Sequence, residues 1–204
     1  MKNVLLFLPQ GFEVYEASVF TDVMGWSREV NTQPVNVTTA ALRAEVTCTW
    51  NLIVRPEAAF ETIDPEKFDA LAIPGGFESA GFYEDAFDER FLDLIRTFDR
   101  EGKPIAAVCV GALPVGKSGV LKNRKATTYD LPDGERRKQL TGYGARVMDE
   151  MIVVDWNIIT STGPATAPDV AFLLLEMLTS RSNADAVREQ MRCLPETPAH
   201  PDLR

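Results

Sequence analysis

With one histidine and three cysteines in 204 residues, this chain is poor in soft metal ligands. Cys48, Cys109 and Cys193 lie far apart, are odd in number and form no C-x-x-C pair. That spacing argues against a disulfide framework and against a zinc site. No metal and no cofactor is expected. The single histidine, His200, stands between Pro198 and Pro201 in a segment of solvated character, so no core histidine is at hand to assist a cysteine. No apolar run is long enough to span a bilayer. The stretch Val4 to Leu8 is shorter than a signal-peptide core and has no small-residue cleavage site after it. Basic residues are in deficit, 21 Lys+Arg against 30 Asp+Glu for a formal charge of -9. An acidic surface repels phosphate backbones and anionic lipid. Nucleic acid and membrane partners are therefore not expected, and a cytoplasmic protein acting on a small molecule is.

What the chain does have is apolar sequence, 45% of its residues, enough for one domain with a sizeable core. That domain is expected over residues 1–180, with a C-terminal helix and loose tail over 181–204, where Pro195, Pro198 and Pro201 accumulate. Strand and helix signals alternate along it. Val4 to Pro9 reads as a buried strand, and a helix from Glu13 to Glu29 follows the turn Gln10-Gly11. Val35 to Thr39 is a second strand, and Glu45 to Val54 holds one or two short strands able to pair with each other or with a partner chain. Phe68 to Ile73 is a third long strand, ended by Pro74-Gly75-Gly76. Asp85 to Glu101 reads as one amphipathic helix with Gly102 as its C′ residue. Beyond it come an apolar strand into Cys109, a short strand at Lys125 to Thr128, a polar helix at Gly134 to Thr141, and two strands within Arg146 to Thr160. Ala167 to Ser180 is a last apolar helix. This alternation predicts an open, mostly parallel α/β sheet, whose ligands bind beyond the carboxyl ends of the strands.

Cys109 stands where the apolar run Ile105 to Val108 gives way to small residues with helical spacing. Strand, tight turn and helix with a nucleophile at the bend is the geometry of a nucleophile elbow, and a helix N-terminus there would favour the thiolate. In a parallel sheet, three loops would share one edge: Gln10 to Glu16, Gly75-Gly76 and the elbow. Glu16 could share a proton with Cys109 as general acid or base; its plainer reading is a first-turn acid serving the helix dipole. The backbone N–H groups of Gly76 and Val110 could converge as an oxyanion hole. Gly75 is a candidate substrate contact.

Four blocks then combine: Gly11-Phe12-Glu13-Val14-Tyr15-Glu16, Leu71-Ala72-Ile73-Pro74-Gly75-Gly76, Ile105 through Ala112, and Ile158 through Pro164. In this order and spacing they resemble the ThiJ/PfpI superfamily from about Lys2 to Ser180. The resemblance implies a flavodoxin-like three-layer sandwich of the class I glutamine amidotransferase type, with Cys109 as the reactive cysteine, Glu16 as the acid hydrogen-bonded to it, and Gly76 as the oxyanion glycine. It also implies a homodimer, because Thr47 to Val54 is similar to a stretch that helps form the family's dimer surface. Family members include putative proteases, isonitrile hydratases and enzymes of small α-oxoaldehydes. Two positions depart from the pattern: Tyr129 stands where many members carry a histidine, which makes it and the adjacent Asp130 candidate substrate contacts, and Val110 stands where isonitrile hydratases carry a threonine.

Residues 111–118 also match the phosphate-loop pattern G-x-x-x-x-G-K-S, with Asp155 ending a later strand. A phosphate loop must be open, whereas Ala112 to Val115 reads as helix. Two functions remain in view. One is a cysteine hydrolase, hydratase or lyase acting on a small electrophile. The other is a non-catalytic thiol sensor in which Cys109 is oxidised.

Overall fold

The computed structural model describes residues 1–131 and 134–193. In chain order it holds β1 (Lys2–Phe7), α1 (Val14–Val30), β2 (Val35–Ala41), β3 (Val46–Thr47), β4 (Ile53–Val54), β5 (Ala58–Ala59) and β6 (Ala70–Ile73). After these come α2 (Phe82–Ala86), α3 (Glu89–Arg100), β7 (Ile105–Ala107), α4 (Ala112–Lys117), β8 (Lys125–Ala126) and α5 (Glu135–Gly142). The last part contains β9 (Arg146–Val147), β10 (Ile152–Asp155), β11 (Ile158–Ser161), α6 (Ala167–Leu178) and α7 (Arg181–Gln190).

Seven strands form the central sheet in the order β10-β11-β7-β6-β1-β2-β5. All pairs are parallel except the β10–β11 hairpin. The central strands are apolar throughout because helices cover both faces: Val4 to Phe7, Ala70 to Ile73 and Ile105 to Ala107 are all buried. From β1 the chain winds outward to β2, and from β6 it winds the opposite way to β7. Right-handed crossovers in opposite directions put α1 and α3 on opposite faces. They also open a crevice between β1 and β6 at the carboxyl edge, the switch point where such sheets bind ligands. The α/β sandwich expected from the sequence is the one observed.

Local differences have identifiable causes. The expected helix over residues 85–101 is two helices. Asp88 has an extended backbone and caps α3 by accepting the Arg90 N–H, while Asp85 is drawn off to accept the Gln10 N–H at 2.9 Å and the Arg43 guanidinium at 3.0–3.1 Å. The far end of α3 matches expectation: Gly102 has φ +67° and donates to Asp99 O, with Lys103 N–H on Phe98 O, a Schellman ending. The edge strand β5 was not expected, since two alanines carry no strand signal. The segment at Lys125 pairs with β9 in a sheet of its own, outside the main one. The strands within 45–54 pair with each other. Ser180 caps α7, whose Ala184 and Val187 are buried in the main core beside α1 and α6. The expected loose tail, with His200, lies outside the described residues. Among the described residues, no helix is long and apolar enough to cross a membrane.

Candidate active site

The chain turns sharply at the end of β7. Val108 N–H still bonds Ile73 O at 3.0 Å, but Cys109 then adopts φ +57° and Gly111 N–H bonds Val108 O at 2.8 Å. A left-handed conformation costs a residue with a Cβ on the order of 1 kcal/mol or more. It persists here because the turn is anchored on both sides. Thr128 Oγ1 donates to Cys109 O at 2.9 Å. Gly111 lies so near β6 that a Cβ on it would sit 2.8 Å from Ile73 O and Pro74 O. The elbow read from the sequence is therefore present. Its effect on the thiol is the reverse of that expected. Cys109 is only 8% exposed, and α4 starts three residues later and has only six residues. Burial, followed by the charge of Glu16, pushes the thiol well above its ordinary range, against an opposing contribution from the Val110 N–H.

Glu16 lies in the first turn of α1, behind the N-cap Glu13, and is fully buried. It is thus both the first-turn acid of the plainer reading and a neighbour of Cys109. Its Oε2 accepts the Gly75 N–H at 2.6 Å. Its Oε1 is buried without a hydrogen-bond partner, and the carboxyl and the Cys109 thiol each shift the other's ionisation. The carboxyl is pushed up to about 8. Burial is the main cause and the charge of Glu13 adds to it; the Gly75 N–H and the thiol oppose them. Glu16 consequently carries its proton at neutral pH, and Oε1, the oxygen not engaged by Gly75, is free to hold it.

Gly76 makes a one-residue antiparallel bridge with Phe12. The bonds around that bridge are Glu13 N–H to Gly75 O and Phe77 N–H to Gly11 O, so Gly76 N–H is not spent in it. A Cβ on Gly76 would meet Gly11 O and Phe82 at 2.4 Å. Gly76 and Val110 both line a cavity of about 210 Å³ above Cys109 and Glu16.

The same wall contains Tyr129, as expected, together with Glu13, Tyr83 and Arg136, which sequence reasoning missed. Asp130 does not join it: the side chain is exposed and pairs with Arg137 at 3.0 Å. Gly75 does not line the cavity either. It is buried beneath the pair, where a Cβ would lie 2.7 Å from Cys109 Cβ and 2.8 Å from Glu16 Oε2. Tyr83 stacks on Phe87 at 4.6 Å and meets Phe82 edge-on at 5.2 Å, and burial raises its hydroxyl above the ordinary range. Glu13 Oε2 accepts the Glu16 N–H and its Oε1 the Trp50 indole N–H. Tyr83 and Arg136 reach the cavity from α2 and α5, and no local pattern distinguishes them from ordinary helix residues. Among the described residues, no cluster of three His, Cys, Asp or Glu could hold a metal.

The phosphate-loop match is closed. Residues 112–117 are helical, Lys117 lies over the Phe87 ring at 4.6 Å, and Ser118 Oγ donates to Val115 O. Asp155 accepts the Lys125 N–H.

Comparison with known proteins fits this geometry. The sequence profile of the DJ-1/PfpI family matches residues 2–177. Protein dj-1beta of Drosophila melanogaster is 29% identical over 190 residues, covering 91% of this chain and 94% of that one. Its crystal structure superposes with a TM-score of 0.81 at 27% identity, over 94% of this chain and 97% of that one. A deglycase of Pyrococcus horikoshii is 31% identical over 60% of this chain and 70% of its own length. An isonitrile hydratase of Pseudomonas putida is 31% identical over 75% of this chain and 63% of its own length.

Proposed function

This chain belongs to the DJ-1/PfpI family, and we propose that it is a cysteine-dependent enzyme of a small electrophile, a hydrolase, hydratase or lyase with Cys109 as nucleophile and Glu16 as acid and base. The observation that carries this reading is the buried Glu16 carboxyl, fixed by Gly75 at 2.6 Å beside the thiol at the elbow.

The reactive form of the pair carries one proton and one negative charge between them. Sulfur adds to the electrophilic carbon, a C–S bond forms, and the π pair moves to the substrate heteroatom. That atom takes the proton from Glu16, leaving a carboxylate that can then accept a proton from water for the second half of the reaction. The N–H groups of Gly76 and Val110 are assigned to the developing charge. No histidine is needed for either transfer. Relatives named deglycase and isonitrile hydratase support a small substrate, as does the size of the cavity. Burial of the thiol favours this reading over a redox sensor, which uses an exposed, low-pKa cysteine.

Turnover by the wild type, Cys109→Ser and Glu16→Gln on a panel of small aldehydes and isonitriles tests the proposal. Loss of turnover in Cys109→Ser and a drop of about 100-fold or more in kcat for Glu16→Gln, with folded circular dichroism spectra, are expected. Turnover surviving in Cys109→Ser would refute it.

The cytoplasmic assignment remains part of this reading, as does a homodimer. The β3–β4 hairpin exposes Trp50, Leu52 and Ile53, within the stretch that the family resemblance assigns to the dimer surface.

A further inference from the structure

We infer that Arg136 sets the substrate preference of the cavity, selecting a small electrophile that carries a carboxylate. The inference rests on the proposed nucleophile, Cys109, which shares the cavity with Arg136.

The guanidinium is partly buried in the cavity wall and held from three sides. One terminal nitrogen donates to Gln139 Oε1 at 3.1 Å, the other to Glu78 Oε2 at 2.7 Å, and the group lies over the Tyr83 ring at 5.4 Å. An arginine has five N–H groups, and these bonds occupy only part of the set. A planar fork immobilised in this way suits a carboxylate, which it can grip with two parallel bonds.

The acidic neighbours do not cancel it. Glu13 has one oxygen on the first turn of α1 and the other on the Trp50 indole. Glu16 keeps its proton up to about 8. Glu135, its neighbour in sequence, adds negative charge nearby, but the carboxylate seen in a salt bridge with Arg136 among the described residues is Glu78, whose side chain is 66% exposed, so solvent already screens it and can take it up when a ligand displaces it. An incoming carboxylate takes the place of Glu78, and the small cavity confines the rest of the molecule beside Cys109.

Two alkylating reagents that differ in charge test this without any known substrate. Iodoacetate carries a carboxylate and iodoacetamide does not. The rate of Cys109 labelling by each is followed by mass spectrometry on the full chain at neutral pH, with glutathione as the free-thiol reference. The iodoacetate-to-iodoacetamide ratio is expected to exceed that of glutathione by about tenfold, the scale of one charge-assisted hydrogen bond. Salt should lower the ratio, Arg136→Gln should bring it to the glutathione value, Arg136→Lys should retain part of it, and Glu78→Gln should raise it. A wild-type ratio equal to that of glutathione, or one unchanged in Arg136→Gln, overturns the inference while leaving the nucleophile in place. If neither reagent labels Cys109, the proposed function fails and this inference fails with it.

Discussion

Gly75 donates its N–H to Glu16 Oε2 across 2.6 Å, and the Cβ it lacks would stand 2.8 Å from that same oxygen. Cys109 Cβ is 2.7 Å from the same point. A glycine is thus the spacer that lets acid and thiol approach each other.

Gly75→Ala is therefore expected to force the pair apart. The predicted cost is about 1–3 kcal/mol, as for other overpacked interior sites, together with slower alkylation of Cys109. Urea denaturation and thiol labelling read the two effects. Gly25→Ala is the contrast: its Cβ would meet nothing nearer than Arg28 at 4.0 Å, and in the middle of α1 it should stabilise by roughly 0.5–1 kcal/mol.

The raised Glu16 carboxyl makes stability depend on pH. Its ordinary value is 4.5 and its folded value about 8. Between these the folded state keeps a proton that the unfolded state has released, so stability falls as pH rises through this window and levels off above it. The change is about 5 kcal/mol at most. Denaturation midpoints from pH 5 to 8 should decline more steeply in wild type than in Glu16→Gln; parallel curves would remove Glu16 as the cause.

The backbone at Cys109 gives a prediction independent of chemistry. At φ +57°, glycine is tolerated better than alanine, so Cys109→Gly should equal or exceed Cys109→Ala in stability by about 1 kcal/mol, even though it removes one more carbon. Thermal denaturation compares them directly. Alanine being clearly the more stable would mean that the elbow relaxes.

Asp130 is tied to Arg137 on the surface and does not reach the cavity. Asp130→Asn should change stability by no more than about 0.5 kcal/mol and leave the iodoacetamide labelling rate of Cys109 unaltered. Tyr129 does line the cavity, so Tyr129→Phe should alter kcat/KM for whichever electrophile is turned over.

The frame of the site was legible because its parts are local signals. The apolar run into β1, the Pro74-Gly75-Gly76 ending of β6 and the abrupt stop at Cys109 each announce a strand end, and a parallel sheet gathers strand ends on one edge. Burial was not legible. Cys109 was expected to gain from a helix N-terminus, but only the packed structure shows that α4 is six residues long and the thiol enclosed. Desolvation then outweighs the local dipole. Tyr83 and Arg136 were missed for a different reason: they come from helices of ordinary composition, and only the folding of α2 and α5 over the crevice makes them neighbours. The break at Asp88 was hidden because Asp85 is claimed by Gln10 and Arg43, contacts far away in sequence.

The proposed chemistry requires Cys109 and Glu16 to titrate as one unit. The pH dependence of Cys109 alkylation, compared between wild type and Glu16→Gln, tests it most directly. A coupled pair should give two steps in the wild type, one as Glu16 loses its proton, at about 8, and one well above the ordinary cysteine range, and a single step once the carboxyl is replaced. A single step at the ordinary cysteine value of about 8.5, identical in both proteins, would uncouple the two groups and leave Cys109 as a core thiol.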